Sequence, residues 1–147
     1  MTKQHYIEDI EVGAEIGPLE IHPTTQQLVK YAGASGDFYQ IHYDKDFALA
    51  NKLPGVILHG ALKNAFLGRL VTDFAGEHGW VRKLSVSYRG MDQPGTKVLC
   101  RGKVAKKYSD HGHHMVDCEI WLENAKGEKT TPGSATVILP SRNGHAA

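Results

Sequence analysis

A short polar stretch carries the residues of this chain that are equipped for chemistry. Residues 35–44 read SGDFYQIHYD and contain Asp37 and His42, and His59 and Gly60 open an apolar segment shortly afterwards. A carboxylate and an imidazole can together move a proton of water, and a helix N-terminus can hold a developing oxyanion. These residue types in one neighbourhood predict the addition of water to an activated double bond, or the reverse reaction.

Three predicted helices position these residues. His22-Pro23-Thr24-Thr25-Gln26-Gln27 offers a Thr N-cap with a Gln three residues on, and glycines at 33 and 36 should end that helix just before Asp37. Asp44 can cap a second short helix that runs to Asn51. From Gly60 to about residue 75, apolar residues recur every three or four positions, which predicts a long and largely apolar central helix.

The remainder of the chain has the period of strands. Residues 12–21 form a short extended segment, and alternation of apolar and polar residues predicts four strands near 83–89, 98–104, 116–122 and 135–139. Turn-rich separators lie at 93–96, 109–112, 124–127 and 131–133. An antiparallel meander is the simplest connection. An antiparallel sheet that covers the long helix accounts for both the alternation in the strands and the apolar side of the helix. We expect one α+β domain.

Composition narrows the classes of partner and compartment. Seventeen basic and sixteen acidic residues in 147 give a formal charge of +1, which is too even for a main partner that is nucleic acid or an anionic membrane. The N-terminal residues lack the pattern of a signal peptide, so we expect a cytoplasmic protein. Cys100 and Cys118 lie on the apolar sides of predicted strands, which predicts buried free thiols.

Asp37 and His42 stand in a DxxxxH spacing, Asp44 follows, and Leu58-His59-Gly60 opens the long helix. This pattern resembles the MaoC-like hydratase/dehydratase family of the hot-dog fold, and in element order the resemblance covers nearly the whole chain. The family includes (R)-specific enoyl-CoA hydratases and some 3-hydroxyacyl-ACP dehydratases. Its usual loop reads Asp-x-Asn-Pro-x-His, whereas Tyr39-Gln40 occupy the Asn-Pro positions here. The departure bears on the substrate more than on the chemistry.

The resemblance implies a hot-dog domain over residues 1–140, with a curved antiparallel sheet wrapped around one central helix, and a flexible tail over 141–147. It implies Asp37 and His42 as the catalytic pair and the backbone amide of Gly60 as the oxyanion donor. The implied reaction is reversible hydration of trans-2-enoyl thioesters to 3-hydroxyacyl thioesters by a homodimer or a higher homo-oligomer. CoA or acyl-carrier phosphopantetheine would arrive as part of the substrate, and we expect no further cofactor and no metal.

Several residues keep two interpretations. Tyr39 contacts the substrate or packs, and His59 contacts the substrate or caps or packs at the start of the apolar helix. His111, His113 and His114 form either a metal cluster or a solvated hairpin tip, and the tip is favoured because a clear fourth ligand is missing. Phosphate contact and a solvated strand face are the two interpretations for the basic residues Arg82, Lys83, Arg101, Lys103, Lys106 and Lys107.

Two other functions compete with a hydratase. A hot-dog thioesterase would use an activated water to cleave the thioester and release free thiol. An acyl-binding subunit would be inactive alone and would complete a heteromeric dehydratase. The intact Asp37 and His42 pair favours the hydratase, because a purely structural partner has no chemical need of it.

Overall fold

The computed structural model describes residues 3–144. The strands are β1 (Glu15–Ile21), β2 (Trp80–Val86), β3 (Val98–Asp110), β4 (His113–Glu123) and β5 (Lys129–Leu139). The helices are α1 (Thr25–Ser35), α2 (Lys45–Ala50) and α3 (Gly60–Ala75), with short 3₁₀ turns at Ile7–Asp9 and Gln40–His42. The predicted α+β architecture is confirmed, because one antiparallel sheet and one long helix form the body of the molecule.

The sheet has five strands in the order β1-β3-β4-β5-β2. β3, β4 and β5 form a meander, but the predicted meander of all four later strands is wrong. β2 pairs with β5 and not with its successor β3. The connection allows this, because the eleven residues between Val86 and Val98 are long enough to pass from the edge strand β2 across β5 and β4 to β3.

The predicted separator at 131–133 is also wrong, because it lies inside β5. Pro132 faces Trp121 of β4, and its carbonyl accepts the amide of Ser87 at 2.8 Å. In an antiparallel ladder the N–H and C=O of one residue point to the same neighbour. An N–H at position 132 would therefore point towards β2, which has already ended there, and not towards β4. The proline consequently removes no hydrogen bond between β5 and β4.

Helix α3 lies at the centre of the fold and contacts all five strands. Its buried side chains are Leu62, Lys63, Phe66, Leu67, Leu70, Val71, Phe74 and Ala75. The inner face of the sheet covers them with Val98, Cys100, Val104, Val116, Ile120, Leu122, Val137 and Leu139. Burial of this apolar surface holds the sheet around the helix. The predicted bounds of the helix are confirmed.

The caps of the shorter helices are as predicted and set the path of the loop between them. Thr24 accepts a hydrogen bond from the Gln27 amide at 3.1 Å, and Asp44 accepts one from the Phe47 amide at 3.0 Å. Helix α1 continues through Gly33 and ends at Ser35. Its C-cap is Gly36, whose φ of 77° is the left-handed conformation that glycine adopts without strain. Residues 37–43 are therefore held between two capped helix ends.

The prediction of buried free thiols is confirmed for Cys100 and Cys118. Burial raises the pKa of each thiol to about 12, so neither forms a reactive thiolate near neutral pH. In the β3–β4 register Cys118 faces Val104, four residues along the strand from Cys100. That offset is about 13 Å, which is too far for a disulfide between them.

The first residues of the predicted tail pack against the N-terminal turn. Ser141 donates a hydrogen bond to Glu8, and Arg142 pairs with both carboxylate oxygens of Asp9. The rest of the predicted tail, residues 145–147, lies outside the described residues. Over residues 3–144 no helix combines the length and the apolar character needed to cross a lipid bilayer.

Candidate active site

The structure brings Asp37 and His42 together. Asp37 follows the left-handed Gly36 at the end of α1, and His42 is the last residue of the 3₁₀ turn 40–42. Their side chains approach to 3.9 Å between Oδ2 of Asp37 and Nε2 of His42. The carboxylate is 47% exposed and the imidazole only 8% exposed, so the pair stands where the protein interior meets the surface.

The hydrogen-bond partner of His42 determines which of its nitrogens can act as a base. Nδ1 lies 2.7 Å from the carbonyl oxygen of Ile57. A carbonyl only accepts, so Nδ1 carries the hydrogen and Nε2 of the neutral ring presents a lone pair towards Asp37. A separation of 3.9 Å is too long for a direct hydrogen bond, so both acceptors remain available to one water molecule that donates to each.

His59 is fully buried directly behind His42. Its ring stacks on that of His42 with centroids 3.8 Å apart and an interplanar angle of 20°, and it meets Tyr31 edge-on at 4.8 Å. Its Nε2 donates to the backbone carbonyl of Asp37 at 3.2 Å, so one ring contacts both halves of the pair. Although His59 occupies the N-cap position of α3, its side chain makes no cap hydrogen bond. The structure therefore places His59 as a packing residue with no surface for the expected substrate contact.

The surroundings of His59 favour its neutral form. Burial lowers its pKa below the ordinary 6.5, and the neighbouring His42 lowers it further, while hydrogen bonding and charge at Asp37 act in the opposite direction. Its Nδ1 has no hydrogen-bond partner among the described residues. A neutral His59 keeps a second positive charge away from His42 when that ring takes up a proton.

We expect the free energy of unfolding to fall as the pH drops below about 6.5, because the unfolded chain then binds a proton that folded His59 resists. The loss continues until the pH reaches the lowered pKa of the folded state. Urea unfolding at a series of pH values measures the slope. His59→Gln keeps a donor for Asp37 and should give a shallower slope, whereas equal slopes for the two proteins would contradict the neutral assignment.

Asp37, His42 and His59 are also the group of described residues with the composition of a metal site, with ligand atoms within 4.8 Å of one another. Their geometry does not fit one. Ring lone pairs lie in the ring planes, and two nearly parallel planes 3.8 Å apart cannot direct them to one ion about 2.0–2.1 Å from each nitrogen. Nδ1 of His42 and Nε2 of His59 are moreover already engaged by carbonyl oxygens.

The three histidines near residue 111 lie at the β3–β4 hairpin. His111 is in the turn, highly exposed, and bonded to Asp110 at 2.6 Å. His113 and His114 are consecutive strand residues, so their side chains point to opposite faces of the sheet. Within residues 3–144 these histidines do not converge, which favours the hairpin-tip interpretation.

Gly60 is the first residue of α3. The first amides of a helix have no intrahelical acceptor and carry the positive end of the helix dipole, so they suit an oxyanion. A Cβ at this position would lie 3.0 Å from the ring of Tyr88, which means that the aromatic ring rests directly against the start of the helix. Tyr88 was predicted within a strand, but it lies beyond the end of β2 and is half exposed.

Exposed aromatic side chains lie on the loop that carries the pair. Phe38, Tyr39 and Tyr43 are between 42% and 59% exposed. The ring of Tyr39 meets His42 edge-on at 6.2 Å, and its amide donates to Oδ1 of Asp37 at 3.3 Å. Tyr39 thus both borders the imidazole and orients the carboxylate. An apolar rim of this kind suits an acyl chain or a second protein surface.

The sequence analysis missed a buried ionic cluster close to Gly60. Nζ of Lys63 donates to Oδ2 of Asp92 at 2.9 Å and to the carbonyl of Gly90 at 2.8 Å. The hydroxyl of Thr130 donates to the same Oδ2 at 2.7 Å. One signal was present, because Lys63 falls on the apolar stripe of α3 that Phe66 and Leu70 define. Nothing in the sequence around Asp92 indicated the partner.

Three of the basic residues already have partners within the protein. Arg101 pairs with Glu123 at 2.9 Å, and Lys107 donates to the carbonyl of Ile10. Lys106 lies 4.7 Å above the ring of Tyr108. These contacts favour the strand-face interpretation for the three residues.

Comparison with known proteins agrees with this geometry. The family model described as "MaoC like domain" matches residues 9–122. The fatty acid synthase subunit beta of Aspergillus oryzae is 33% identical over 110 residues, which cover 73% of this chain and 5% of that protein. The chain thus spans about a twentieth of the length of this curated relative.

Solved structures share the fold. An (R)-hydratase from A. caviae involved in PHA biosynthesis superposes with a TM-score of 0.83 at 22% identity, over 90% of this chain and 99% of that one. The ChsH1–ChsH2 complex from Mycobacterium tuberculosis superposes with a TM-score of 0.77 at 20% identity, over 88% of this chain and 98% of that one. With the family match over most of its length, this chain belongs to the MaoC-like domain family.

Proposed function

We propose that this protein catalyses the reversible hydration of trans-2-enoyl thioesters to 3-hydroxyacyl thioesters. The observation that carries the proposal is the placement of the Asp37 carboxylate 3.9 Å from Nε2 of His42, the ring nitrogen that the Ile57 carbonyl leaves free. Membership of the MaoC-like family supports the same hydro-lyase reaction. Asp37, His42 and Gly60 are the residues to which we assign the chemistry.

Each residue has one task in the reaction. A water held between Asp37 and His42 gives a proton to Nε2 of His42 while its oxygen adds to C3 of the enoyl group. Electron density moves to the thioester oxygen, where the Gly60 amide donates a hydrogen bond. Asp37 keeps the water oriented and stabilises the imidazolium. Nε2 of His42 then returns its proton to C2, which restores both the thioester and the neutral imidazole, and dehydration follows the same path backwards.

A product assay tests the function. Purified protein is incubated with enoyl-CoA and enoyl-ACP substrates of several chain lengths, and the 3-hydroxy products are identified together with their stereochemistry. We expect hydration without release of free thiol. Thiol release from acyl-CoA would identify a thioesterase, and a folded protein that leaves the whole panel unchanged would contradict the proposal for the chain acting alone.

One comparison favours an alternative for the assembled protein. The ChsH1–ChsH2 complex shares the fold and contains two different chains. If this chain were one subunit of a heteromeric dehydratase, hydration would appear only after addition of a second MaoC-like chain. The proximity of Asp37 and His42 within this one chain supports activity of the chain by itself.

We further propose that the protein is a homodimer. β2 lies at an edge of the sheet, hydrogen-bonded to β5 on one side, and its first residue Trp80 is 63% exposed. An open edge beside a large exposed aromatic side chain is suited to pairing with a second copy. Light scattering on the eluting protein measures the mass. A dimer that dissociates in Trp80→Arg is expected, and a monomeric wild type would contradict the assignment.

The remaining assignments are also proposals. We infer that CoA or phosphopantetheine arrives with the substrate and that no other cofactor and no metal takes part. The stacked histidines support the absence of a metal at the pair. We place the protein in the cytoplasm, with neither nucleic acid nor membrane as partner, and the free thiols and the balanced charge support these assignments.

A further inference from the structure

We propose that Lys63, Asp92 and Thr130 form a buried clamp that positions the catalytic segment 57–63, and that the clamp therefore sets the turnover rate. These three are positioning residues, since none of them is assigned a contact with the reacting atoms. The inference rests on the proposed hydratase function for its kinetic consequences. Its structural part stands on contacts that are independent of the substrate.

The segment that the clamp holds carries three elements of the site. Ile57 supplies the carbonyl that fixes the tautomer of His42, His59 stacks on that ring, and Gly60 provides the helix amide. The segment is only seven residues long. A shift of the segment therefore moves the base and the oxyanion donor relative to each other.

Asp92 forms hydrogen bonds near both ends of the segment. Its backbone carbonyl accepts the amide of Leu58 at 2.8 Å, and its carboxylate accepts Nζ of Lys63 at 2.9 Å. Lys63 in turn donates its amide to the His59 carbonyl in the first turn of α3. Asp92, which lies outside the segment, is thus bonded to Leu58 directly before the His59–Gly60 pair and to Lys63, three residues after Gly60.

The clamp is itself tied to the sheet. The hydroxyl of Thr130, a residue of β5, donates to Oδ2 of Asp92, and the backbone carbonyl of Thr130 accepts the amides of Arg89 and Gly90. Gly90 accepts the second hydrogen bond from Lys63. These bonds therefore fix the position of the catalytic segment relative to β5, the strand between the central strand β4 and the edge strand β2.

The energetics of the cluster favour a positioning role over a purely stabilising one. Lys63, Asp92 and Thr130 are each at most 5% exposed. The cost of burying two charges offsets much of their attraction, and such pairs can often be replaced by apolar residues without loss of stability. Oδ1 of Asp92 also has no hydrogen-bond partner among the described residues, so the cluster is not optimised for stability.

A matched pair of variants at Thr130 tests the clamp with least disturbance. Thr130→Val removes the hydroxyl and keeps the shape and both charges, whereas Thr130→Ser keeps the hydroxyl. Because small misplacements of catalytic groups reduce rates steeply, we expect kcat to fall about tenfold in Thr130→Val with KM nearly unchanged. Thr130→Ser should retain the wild-type kcat. Equal kcat values for the two variants would overturn the proposal.

A double replacement separates positioning from stability. Lys63→Met with Asp92→Leu removes both charges and keeps the backbone bond to Leu58. We expect a thermal stability at or above that of wild type but a kcat that is lower by about 10- to 100-fold. The control is Arg69→Ala with Asp73→Ala, an exposed ion pair on the same helix with a separation of 3.7 Å, which should leave kcat unchanged. A stable Lys63/Asp92 variant with wild-type kcat would contradict the clamp.

Hydrogen exchange separates failure of the clamp from failure of the proposed function. The Leu58 amide is protected by its bond to Asp92, so its exchange should accelerate in Thr130→Val and not in Thr130→Ser. This measurement needs no substrate. If wild type shows no hydratase activity but the exchange result holds, the function is wrong and the clamp stands. If exchange at Leu58 is the same in both variants, the clamp is wrong whatever the activity.

Discussion

The His42→Asn variant should lose enoyl-thioester hydration by about 10²–10⁴ in kcat, the contribution typical of a positioned acid–base group. The asparagine amide can still donate to the Ile57 carbonyl, as Nδ1 of the imidazole does at 2.7 Å. What disappears is the lone pair of Nε2, 3.9 Å from the Asp37 carboxylate. The expected loss of activity therefore measures the loss of proton transfer and not a change in the structure of the loop.

Initial-rate measurements over a range of substrate concentrations give kcat and KM for this variant. His22→Asn is the control, because His22 is exposed and, among residues 3–144, its ring bonds only to Glu20 on the surface. Asp37→Asn should cause a loss of similar size, and the two changes combined should cost little more than either alone, since groups that act as a unit are not additive. A His42→Asn enzyme that retains kcat within about threefold would exclude His42 as the base.

The second large effect is expected at the start of α3. Gly60→Ala should lower kcat by about 10²–10³, the loss typical for one oxyanion donor. The added methyl group would stand 3.0 Å from the ring of Tyr88, so either the ring or the helix start must shift. It would also narrow the approach to the amide. The same assay used for His42 measures the effect.

Gly68→Ala is the matched control for this change. Gly68 lies in the same helix, and a methyl group there would meet Leu84 at 3.5 Å, which is ordinary contact. Alanine also favours the helix, so Gly68→Ala should be as active and at least as stable as wild type. Adding Tyr88→Ala to Gly60→Ala removes the clash. Any loss that persists in this double variant measures obstruction of the amide by the methyl group, since alanine keeps the backbone N–H. Wild-type activity in Gly60→Ala would contradict the prediction that substrate must approach this amide closely.

The elements of the fold were largely readable from local patterns. The Thr24 and Asp44 caps, the left-handed Gly36 and the apolar period after Gly60 each depend on residues within one or two turns of the chain. Strand pairing did not follow from such patterns. The strand that pairs with β2 depends on the path of the connection after Val86. Pro132 was predicted in a turn because proline and glycine are adjacent there, but β5 accommodates it because β2 has already ended on the side that its missing N–H would face.

The candidate site also has one part that the sequence predicted and one part that depends on the tertiary structure. The spacing of Asp37 and His42, with Gly60 at the start of an apolar helix, predicted the reaction class, because the loop between two helix caps is short and local bonding determines its path. The sequence alone therefore determined the types of catalytic group and the elements that carry them.

Only the tertiary structure decided how those groups are held. Ile57 selects the tautomer of His42 across fifteen residues, and His59 supports its ring from behind. Asp92 reaches Lys63 across twenty-nine residues and Thr130 across thirty-eight. Local sequence patterns cannot predict such contacts, because the partners are distant in the sequence. A buried charge is stable only when the fold brings its partner next to it.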